Sequence, residues 1–575
     1  MNAPTLTQVL FRKCPVTGLN VNKDSERLIQ INAVIAVVAL LVGTVAAILL
    51  ALTRWQAVHL LPADWYYRLL TAHGLNMLIF FIIFFEMAIL YFAGPVVLGS
   101  RQPAPKVGWL AFILMLVGAV LVNVMVFMGK ADVLFTSYPP LRADPLYYLG
   151  IILFAVGTLI ATSLFFAALV VAKREKTYEG SVPLVTFGAL TAAIIAVITL
   201  LHGAVIYIPT LLWSMDLIPL DPQVYRLVFW GLGHSSQQIN VSAHVAVWYL
   251  MGGLTVGGVV LNEKVSRTSF VLYVLFISMA SAHHLLVDPG FSPAWKVWNT
   301  SYAMYMAVLA SMIHGFTVPA GIEMGQRLRG FTKGRFEWLV KAPWSDPGFS
   351  GTWLSIVIFG FLGGITGVTI GTEQINIVAH NTLRIPGHFH VTVVGGTALA
   401  FMALTYYVLP LIFKKRVAFW GMAKYQPYVF GAGITIMSMA MTFAGSFGVA
   451  RRHYDSTFTG APFSIEYPPV VDLLMAGVGI GGLIAATGAL MYIAIAVATV
   501  FFGKSVDLSQ PLTDTSGLPQ GVIKLPKQVH TAEEAEAVHK TGTPGTVVLV
   551  AVFLTVFVLY FFTNWKLLSM LWKIG

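Results

Sequence analysis

The sequence predicts an all-α membrane protein, a polytopic bundle of about thirteen transmembrane helices. Of its 575 residues, 57% are hydrophobic and 10% are charged, whereas about a quarter of the residues in soluble domains are charged. The hydrophobic residues also form unbroken runs of about 20 residues or more, the length that crosses a hydrocarbon core of about 30 Å as a helix. A membrane β-barrel would instead show short strands of alternating polarity.

Thirteen apolar runs justify the helices in order, within a single membrane domain spanning residues 1–575. Their approximate limits are 32–54, 69–97, 107–129, 146–172, 184–213, 225–261, 268–288, 298–324, 350–371, 385–413, 426–449, 468–502 and 546–571. No internal repeat is visible. The first 31 residues lack a short apolar core followed by a small-residue cleavage site, so we expect the first run to remain as an anchor.

The distribution of positive charge predicts the orientation of the chain. The basic loops SRQPAPK, AKREK, NEKVSR, RLRGFTKGR and FKKR all follow even-numbered runs. Because Lys and Arg concentrate in cytoplasmic loops, we expect these loops and the N-terminus in the cytoplasm. The net charge of +11 therefore does not indicate a nucleic-acid partner. Residues 503–545 are expected to be a cytoplasmic linker before the last helix.

Six of the 14 histidines lie in or at the edge of apolar runs and, by this topology, toward the outer ends of their helices. They are His73, His234, His283, His284, His388 and His390. An ionisable ring inside a membrane is costly and indicates function by default. A single such residue is more often a satisfied core histidine, but independent core residues have no reason to share one depth. A common metal site is the better interpretation.

The spacing of the histidines suggests how they divide. In RIPGHFHV, His388 and His390 point about 200° apart on a helix and so suit two different metals, and imidazole is a usual axial ligand of haem iron. In SAHHLLVDPG, His283 and His284 can reach one ion only if the helix ends there, and DPG supplies a terminator. His234 would complete a three-nitrogen copper site.

Two adjacent arginines extend the pattern. Arg451 and Arg452 follow the eleventh run on the outer side, where the charge rule disfavours cations. Arginines at a helix end often anchor the membrane interface. Guanidinium groups also pair with carboxylates in bidentate geometry, and haem propionates would supply such carboxylates.

The chain resembles subunit I of the haem-copper oxidase superfamily, and most of all its B-type branch. The similarity runs from LTAHGLN through TSYPPL, WGLGH, HHLLVDPG, PAWK, RLRG, VAHNT and PGHFHV to VARRHY. The resemblance implies that His73 and His390 bind a low-spin haem and that His388 binds a high-spin haem. It assigns His234, His283 and His284 to copper-B and the arginine pair to haem propionates. It also implies a respiratory enzyme of a prokaryotic plasma membrane.

One position departs from the oxygen reductases of this superfamily. Those of types A and B carry a cross-linked tyrosine four residues after the first copper histidine, and this chain has Gln238 there. The spacing keeps Gln238 on the His234 face, so its amide is expected to point at the metal. Tyr249 cannot replace the phenol, because it lies roughly 22 Å further along the helix.

The missing phenol favours nitric oxide as the substrate. Splitting O2 in one step takes four electrons, of which iron and copper supply three, whereas coupling two NO molecules to N2O and water takes two. Nitric oxide reductases of the superfamily lack this tyrosine. Classical ones use non-haem iron with glutamate ligands, however, and the nearest carboxylates, Glu86 and Glu323, are expected toward the cytoplasmic ends of their helices. A copper-containing NO reductase fits both facts, and an oxygen-reducing cytochrome c oxidase is the alternative.

The resemblance also suggests a proton path and an electron donor. Tyr249, Ser311 and His314 fall on the stretches that carry a cytoplasmic proton channel in B-type enzymes, although interior polar residues also simply join neighbouring helices. The lone Cys14 excludes a binuclear copper-thiolate centre, and the chain has no CxxCH site. Electrons must therefore come from a subunit II-like partner or a cytochrome c. A membrane transporter is the rival class, and it would carry neither haem nor copper.

Overall fold

The computed structural model describes residues 10–13, 20–277, 281–506, 517–519, 521, 527–528 and 532–571. Twelve helices in this described part are long and apolar enough to span a membrane, which confirms the predicted polytopic helical bundle. Numbered in chain order, with the shorter α7 included, the helices are α1 (Lys23–Arg54), α2 (Ala63–Val96), α3 (Pro105–Phe127), α4 (Pro145–Arg174), α5 (Leu184–Ser214), α6 (Pro222–Val256), α7 (Glu263–Leu272), α8 (Pro293–Leu328), α9 (Pro347–Gly371), α10 (Arg384–Ile412), α11 (Trp420–Ser446), α12 (Val470–Phe502) and α13 (Pro544–Met570). Cys14 lies outside the described residues.

Of the thirteen predicted spans, 268–288 is the one that does not form a membrane-length helix among the described residues. Helix α7 is followed by a π-helical segment, Tyr273–Ile277, and a 3₁₀ turn occupies Ser281–Leu285 beyond three residues that the structure does not describe. The turn ends shortly before Asp288, where the DPG sequence predicts a terminator. The adjacent histidines of this span thus lie in a tight turn.

Several helices extend beyond the apolar runs that predict them. Helix α1 begins at Lys23, nine positions before the predicted limit, because Asn22 caps it: the backbone N–H of Ser25 donates to Asn22 Oδ1 (3.2 Å). Asp24 and Glu26 in the first turn complement the helix dipole. Polar first turns carry no hydrophobic signal, so apolar length alone underestimates the helix.

Short strands tie the polar segments to the bundle. Strand β1 (Phe11–Lys13) pairs antiparallel with β2 (Asn20–Asn22), and β3 (Val259–Val260) pairs parallel with β4 (Lys527–Gln528). The predicted linker 503–545 therefore returns to the end of α6, and it also contains the helix Ala532–Thr541. Its cytoplasmic position stays a prediction.

The histidine-bearing helices α6 and α10 lie at the centre of the bundle. In their most apolar stretches 94% and 89% of the residues are buried, against 11% in α13. Helix α2 contains the π-helical segment Asn76–Phe81 just after His73, and α10 turns π-helical at His390–Ala398. Such π segments in helices often mark functional sites.

Candidate functional site

His73 on α2 and His390 on α10 face each other as nearly parallel rings. Their ring centroids are 6.3 Å apart and their planes differ by 11°. In each ring Nδ1 lies within hydrogen-bond distance of a backbone carbonyl oxygen. His73 Nδ1 is 3.0 Å from Gly43 O, and His390 Nδ1 is 2.7 Å from Pro386 O. That contact fixes the ring orientation and leaves Nε2 for a metal, as is usual for ligating histidines.

The gap between these two rings fits one metal ion. Two imidazole nitrogens on opposite sides of a metal lie about 4 Å apart, because each metal–nitrogen bond is about 2 Å. Adding the distance from each nitrogen to its ring centre gives the separation observed between the centroids. The pair therefore suits a haem iron held between two histidines.

His388 has different neighbours from His390, as the two-residue spacing predicts. Its Nδ1 lies 3.1 Å from the hydroxyl oxygen of Thr366 on α9. A Cβ atom at Gly367, on the same helix, would lie only 2.7 Å from the His388 ring, so the ring occupies space that a side chain there would fill. His388 is thus held against α9, separate from the His73–His390 pair.

His234, His283 and His284 form a compact three-nitrogen cluster. One nitrogen from each residue lies within 4.8 Å of the other two, and His234 Nδ1 is 2.9 Å from His284 Nε2. The His284 ring also stacks on Trp230, with centroids 3.7 Å apart and planes 6° apart. Helix α6 supplies one imidazole and the 3₁₀ turn the other two, and three neutral nitrogens with an open position suit copper.

Gln238 contacts His234, but on the far side of the ring from the cluster. Its Nε2 lies 2.5 Å from His234 Nε2, whereas His234 Nδ1 faces His284. The amide and His284 therefore contact opposite nitrogens of the His234 ring, and whether the amide points at a metal stays a prediction. The i, i+4 spacing brings Gln238 alongside the ring, and the ring rotamer turns the other nitrogen to the cluster. The amide is thus placed where it can orient the His234 ring.

Arg451 and Arg452 lie outside the membrane-spanning helices and face the interior. Arg451 donates from Nη2 to Asn381 Oδ1 (2.9 Å). Among the described residues, neither guanidinium has a carboxylate partner within ion-pair distance, and nearby Asp288 pairs with Arg226 (2.5 Å). Desolvation and the adjacent Arg452 lower the pKa of Arg451 well below its ordinary value. Anionic carboxylates such as haem propionates would relieve both effects.

One interior cavity joins these groups. It has a volume of about 690 Å³. Its lining includes all the predicted metal ligands, the arginines and Gln238, namely His73, His234, His283, His284, His388, His390, Arg451, Arg452 and Gln238. The six histidines that the sequence places at one predicted membrane depth thus line one cavity.

The predicted proton-path residues fall into two hydrogen-bonded groups, each completed by a residue that the sequence did not indicate. The Tyr249 hydroxyl lies 3.1 Å from His314 Nδ1 and 2.7 Å from Thr317 Oγ1, and Ser311 Oγ lies 3.0 Å from the Tyr273 hydroxyl. Ser311 lines the cavity. Tyr273 comes from α7's π segment, so no spacing within α6 or α8 predicts its role.

The two acidic residues occupy different environments. Glu323 is fully buried and pairs with Arg327 (2.7 Å), and it also accepts hydrogen bonds from the first turn of α13. Glu86 faces Asn240, whose amide, when oriented to donate, bonds Glu86 Oε1 at 2.9 Å. Neither glutamate belongs to the histidine cluster.

The chain is similar to known oxidase subunits over most of its length. Residues 27–484 match the family model described as cytochrome c and quinol oxidase polypeptide I. Cytochrome c oxidase subunit 1 of Thermus thermophilus is 31% identical over 422 residues, which cover 71% of this chain and 73% of that protein. Ubiquinol oxidase subunit 1 of Acetobacter aceti is 25% identical, over 75% of this chain and 66% of that one.

A solved structure shares the fold over almost the whole chain. A cryo-EM structure of a haem-copper terminal oxidase dimer superposes with a TM-score of 0.79 and 26% identity. The match covers 93% of this chain and 92% of the other.

Proposed function

We propose, from the premise that this chain belongs to the cytochrome c and quinol oxidase polypeptide I family, that it reduces nitric oxide to nitrous oxide. Membership makes it the membrane-embedded catalytic subunit of a haem-copper terminal oxidoreductase, a family with a low-spin haem, a high-spin haem and copper-B. When bound, the haems and copper carry electrons and bind and reduce the gas. The choice of gas depends on this chain's own residues.

The geometry supports a ligand assignment for each histidine. We assign His73 and His390 to the low-spin haem because their parallel rings leave room for one iron. His388, held apart by Thr366, takes the high-spin haem. The converging nitrogens of His234, His283 and His284 take copper-B.

Gln238 is the observation that carries the nitric oxide proposal. Its amide occupies the position beside His234 Nε2 where the oxygen reductases that this chain resembles place a phenol. An amide can orient the imidazole, but it supplies neither an electron nor a readily released proton. Nitric oxide reduction needs no extra donor, so the residue is compatible with that reaction.

Oxygen is the second candidate, and the relatives favour it. The named proteins that match are cytochrome c and quinol oxidases. With the same histidines in place, oxygen can still reach the high-spin site. The fourth electron would then come from the low-spin haem, and we expect turnover to be slow or to release partly reduced products.

Protons would reach the cavity through hydroxyl and imidazole groups of α6, α7 and α8. Tyr249 joins Ser266 (2.9 Å) to His314 (3.1 Å), and Tyr273 joins Ser311 at the cavity wall. Replacing Tyr249 with phenylalanine removes the central hydroxyl, so we expect slower turnover with unchanged haem spectra. The Tyr305→Phe variant, altered on an exposed side chain of α8, is the control.

Electrons would come from a subunit II-like partner or a cytochrome c at the outer face. We place the enzyme in a prokaryotic plasma membrane with its N-terminus in the cytoplasm, from the basic loops that follow even-numbered spans. Efficient reduction of the isolated chain by a soluble donor at full turnover would contradict the need for a partner.

Parallel electrode assays of the purified enzyme with one electron donor test the substrate. We expect NO consumption to exceed O2 consumption, with N2O as the product. O2 consumption far above NO consumption would overturn the proposal and establish the oxidase alternative. The Gln238→Tyr variant sharpens the test, since a phenol at this position should raise O2 turnover relative to NO turnover.

A further inference from the structure

The segment Ala450–His453, here called the arginine turn, is held from a distant helix. Arg54 is the last residue of α1. Its Nη2 donates to Ala450 O (3.0 Å), and its Nη1 donates to His453 O. These carbonyls lie immediately before and immediately after Arg451 and Arg452. One guanidinium therefore donates hydrogen bonds on both sides of the arginine pair.

The placement of Arg54 is unusual for a basic residue at a helix end. Such residues commonly bond the last carbonyls of their own helix, but the backbone N–H of Trp55 takes Ala51 O at the end of α1 (3.1 Å). Arg54 is 8% exposed and forms no ion pair with a described carboxylate. It also lines the cavity beside His73.

The arginine turn has a conformation that needs outside support. Arg452 has a φ of +68°, in the left-handed region that a non-glycine residue rarely adopts and that surrounding contacts must maintain. Asn381 holds the upstream side, accepting from the backbone N–H of Arg451 (2.9 Å). Tyr454 packs downstream against His59, with ring centroids 4.6 Å apart. Tyr467 bonds carbonyls further out on both sides, Gly448 O and Ser456 O (3.4 Å each), whereas Arg54 bonds the two carbonyls that directly flank the arginine pair.

We propose that Arg54 is a positioning residue that fixes the arginine turn, and thereby sets how Arg451 and Arg452 meet the carboxylates of the haems. The inference rests on the proposed assignment of that pair to haem propionates. A relaxed turn would leave propionate charge less well neutralised. Residual negative charge beside a haem favours its oxidised, more positive state and lowers its reduction potential.

The competing explanation is that Arg54 acts only through its own positive charge. Lysine distinguishes the two roles, because an ammonium keeps the charge but lacks the planar fork that reaches two carbonyls at once. Positioning predicts that Arg54→Lys lowers the midpoint potential of the low-spin haem nearly as much as Arg54→Gln. A charge effect alone predicts a native potential in Arg54→Lys and a shift only in Arg54→Gln, which would overturn the proposal.

Spectroelectrochemical titration and the haem content of the holoenzyme provide the readouts. The control is Arg68→Lys, which changes an outer arginine paired with Asp132 (3.7 Å) and should leave the potential unchanged. Selective loss of the low-spin haem in Arg54→Lys would support the proposal. Loss of both haems would make Arg54 a general structural residue and would contradict it.

A double variant distinguishes a failure of the positioning role of Arg54 from a failure of the propionate assignment of Arg451 and Arg452. If Arg54 acts through the pair, Arg54→Lys combined with Arg451→Lys should shift the potential by less than the sum of the two single shifts, since groups acting as one unit are not additive. Additive shifts would contradict positioning. No shift in Arg451→Lys or Arg452→Lys would instead overturn the propionate assignment itself.

Discussion

At the residue scale, we expect the contact between Gln238 and His234 to influence the proposed copper site. His234 uses Nδ1 toward the cluster and Nε2 toward the amide, 2.5 Å away. Hydrogen-bond partners of metal ligands fix the ligand orientation, and their loss typically weakens metal affinity by about 10–100-fold. Gln238 is therefore expected to matter for copper without binding it.

Replacing Gln238 with leucine tests this role. We expect copper to dissociate more readily by about one to two orders of magnitude, measured by competition with a chelator, while both haem spectra persist. Gln237→Leu is the matched control, because the neighbouring amide also lines the cavity but does not contact His234. Unchanged copper affinity in Gln238→Leu would show that the amide does not orient the ligand.

Gln238→Tyr should retain copper, because three imidazoles remain and the related oxygen reductases accommodate a tyrosine at this place. Loss of copper in that variant would make Gln238 itself a ligand. The mechanism would then have to include an amide bound to the metal.

The sequence predicts which histidines come together, but it does not predict the side chains that contact them. A shared depth, a spacing of two in RIPGHFHV and an adjacent pair before DPG together indicate which histidines converge. Thr366, Trp230 and Tyr273 were not predicted, because each meets its histidine or serine across a helix interface. The direction of Gln238 depends on the rotamer of the His234 ring, which spacing alone does not determine.

At the scale of elements, α13 is attached to the bundle by a buried carboxylate. Glu323 on α8 accepts from the backbone N–H groups of Gly545 (3.0 Å) and Thr546 (2.6 Å). These groups form the first turn of α13, where helix geometry leaves N–H donors unpaired and favours negative charge. Arg327 neutralises the same carboxylate, so the contact holds an otherwise lipid-facing helix.

Glu323→Gln should loosen α13 from the bundle. The variant keeps the side chain's shape but leaves the Arg327 charge buried and uncompensated, a loss that typically costs about 3–5 kcal/mol. We expect a lower thermal unfolding midpoint in detergent, with haem spectra unchanged before melting. Glu337→Gln is the control, since its exposed carboxylate accepts from Lys333 N. Equal melting of Glu323→Gln and the unaltered protein would contradict the anchoring role.

Hydrophobic length predicts the helices but not their interruptions. The apolar runs locate the twelve candidate membrane helices of the described residues, because a bilayer requires continuous backbone hydrogen bonding. The π segments in α2 and α10 and the broken span after α7 arise where side chains from several helices must meet. Those requirements belong to the packed bundle, so a single run of sequence does not reveal them.

At the scale of the whole molecule, the buried helices and the cavity define one candidate catalytic centre. Helices α6 and α10 are enclosed by the others and, with α2 and the 3₁₀ turn, carry all six histidines to one space of about 690 Å³. A transporter could bury ionisable residues as well. Three converging imidazoles, a separate parallel pair and the single ring of His388 are the arrangement expected for three metal centres.

The most direct test is the cofactor content of the purified chain, measured together as haem per protein, copper per protein and optical spectrum. We predict two haems and one copper, with the His73→Leu variant losing the low-spin haem signal and the His283→Leu variant losing copper. A colourless protein without copper, or a His73→Leu variant with both haem signals intact, would contradict it.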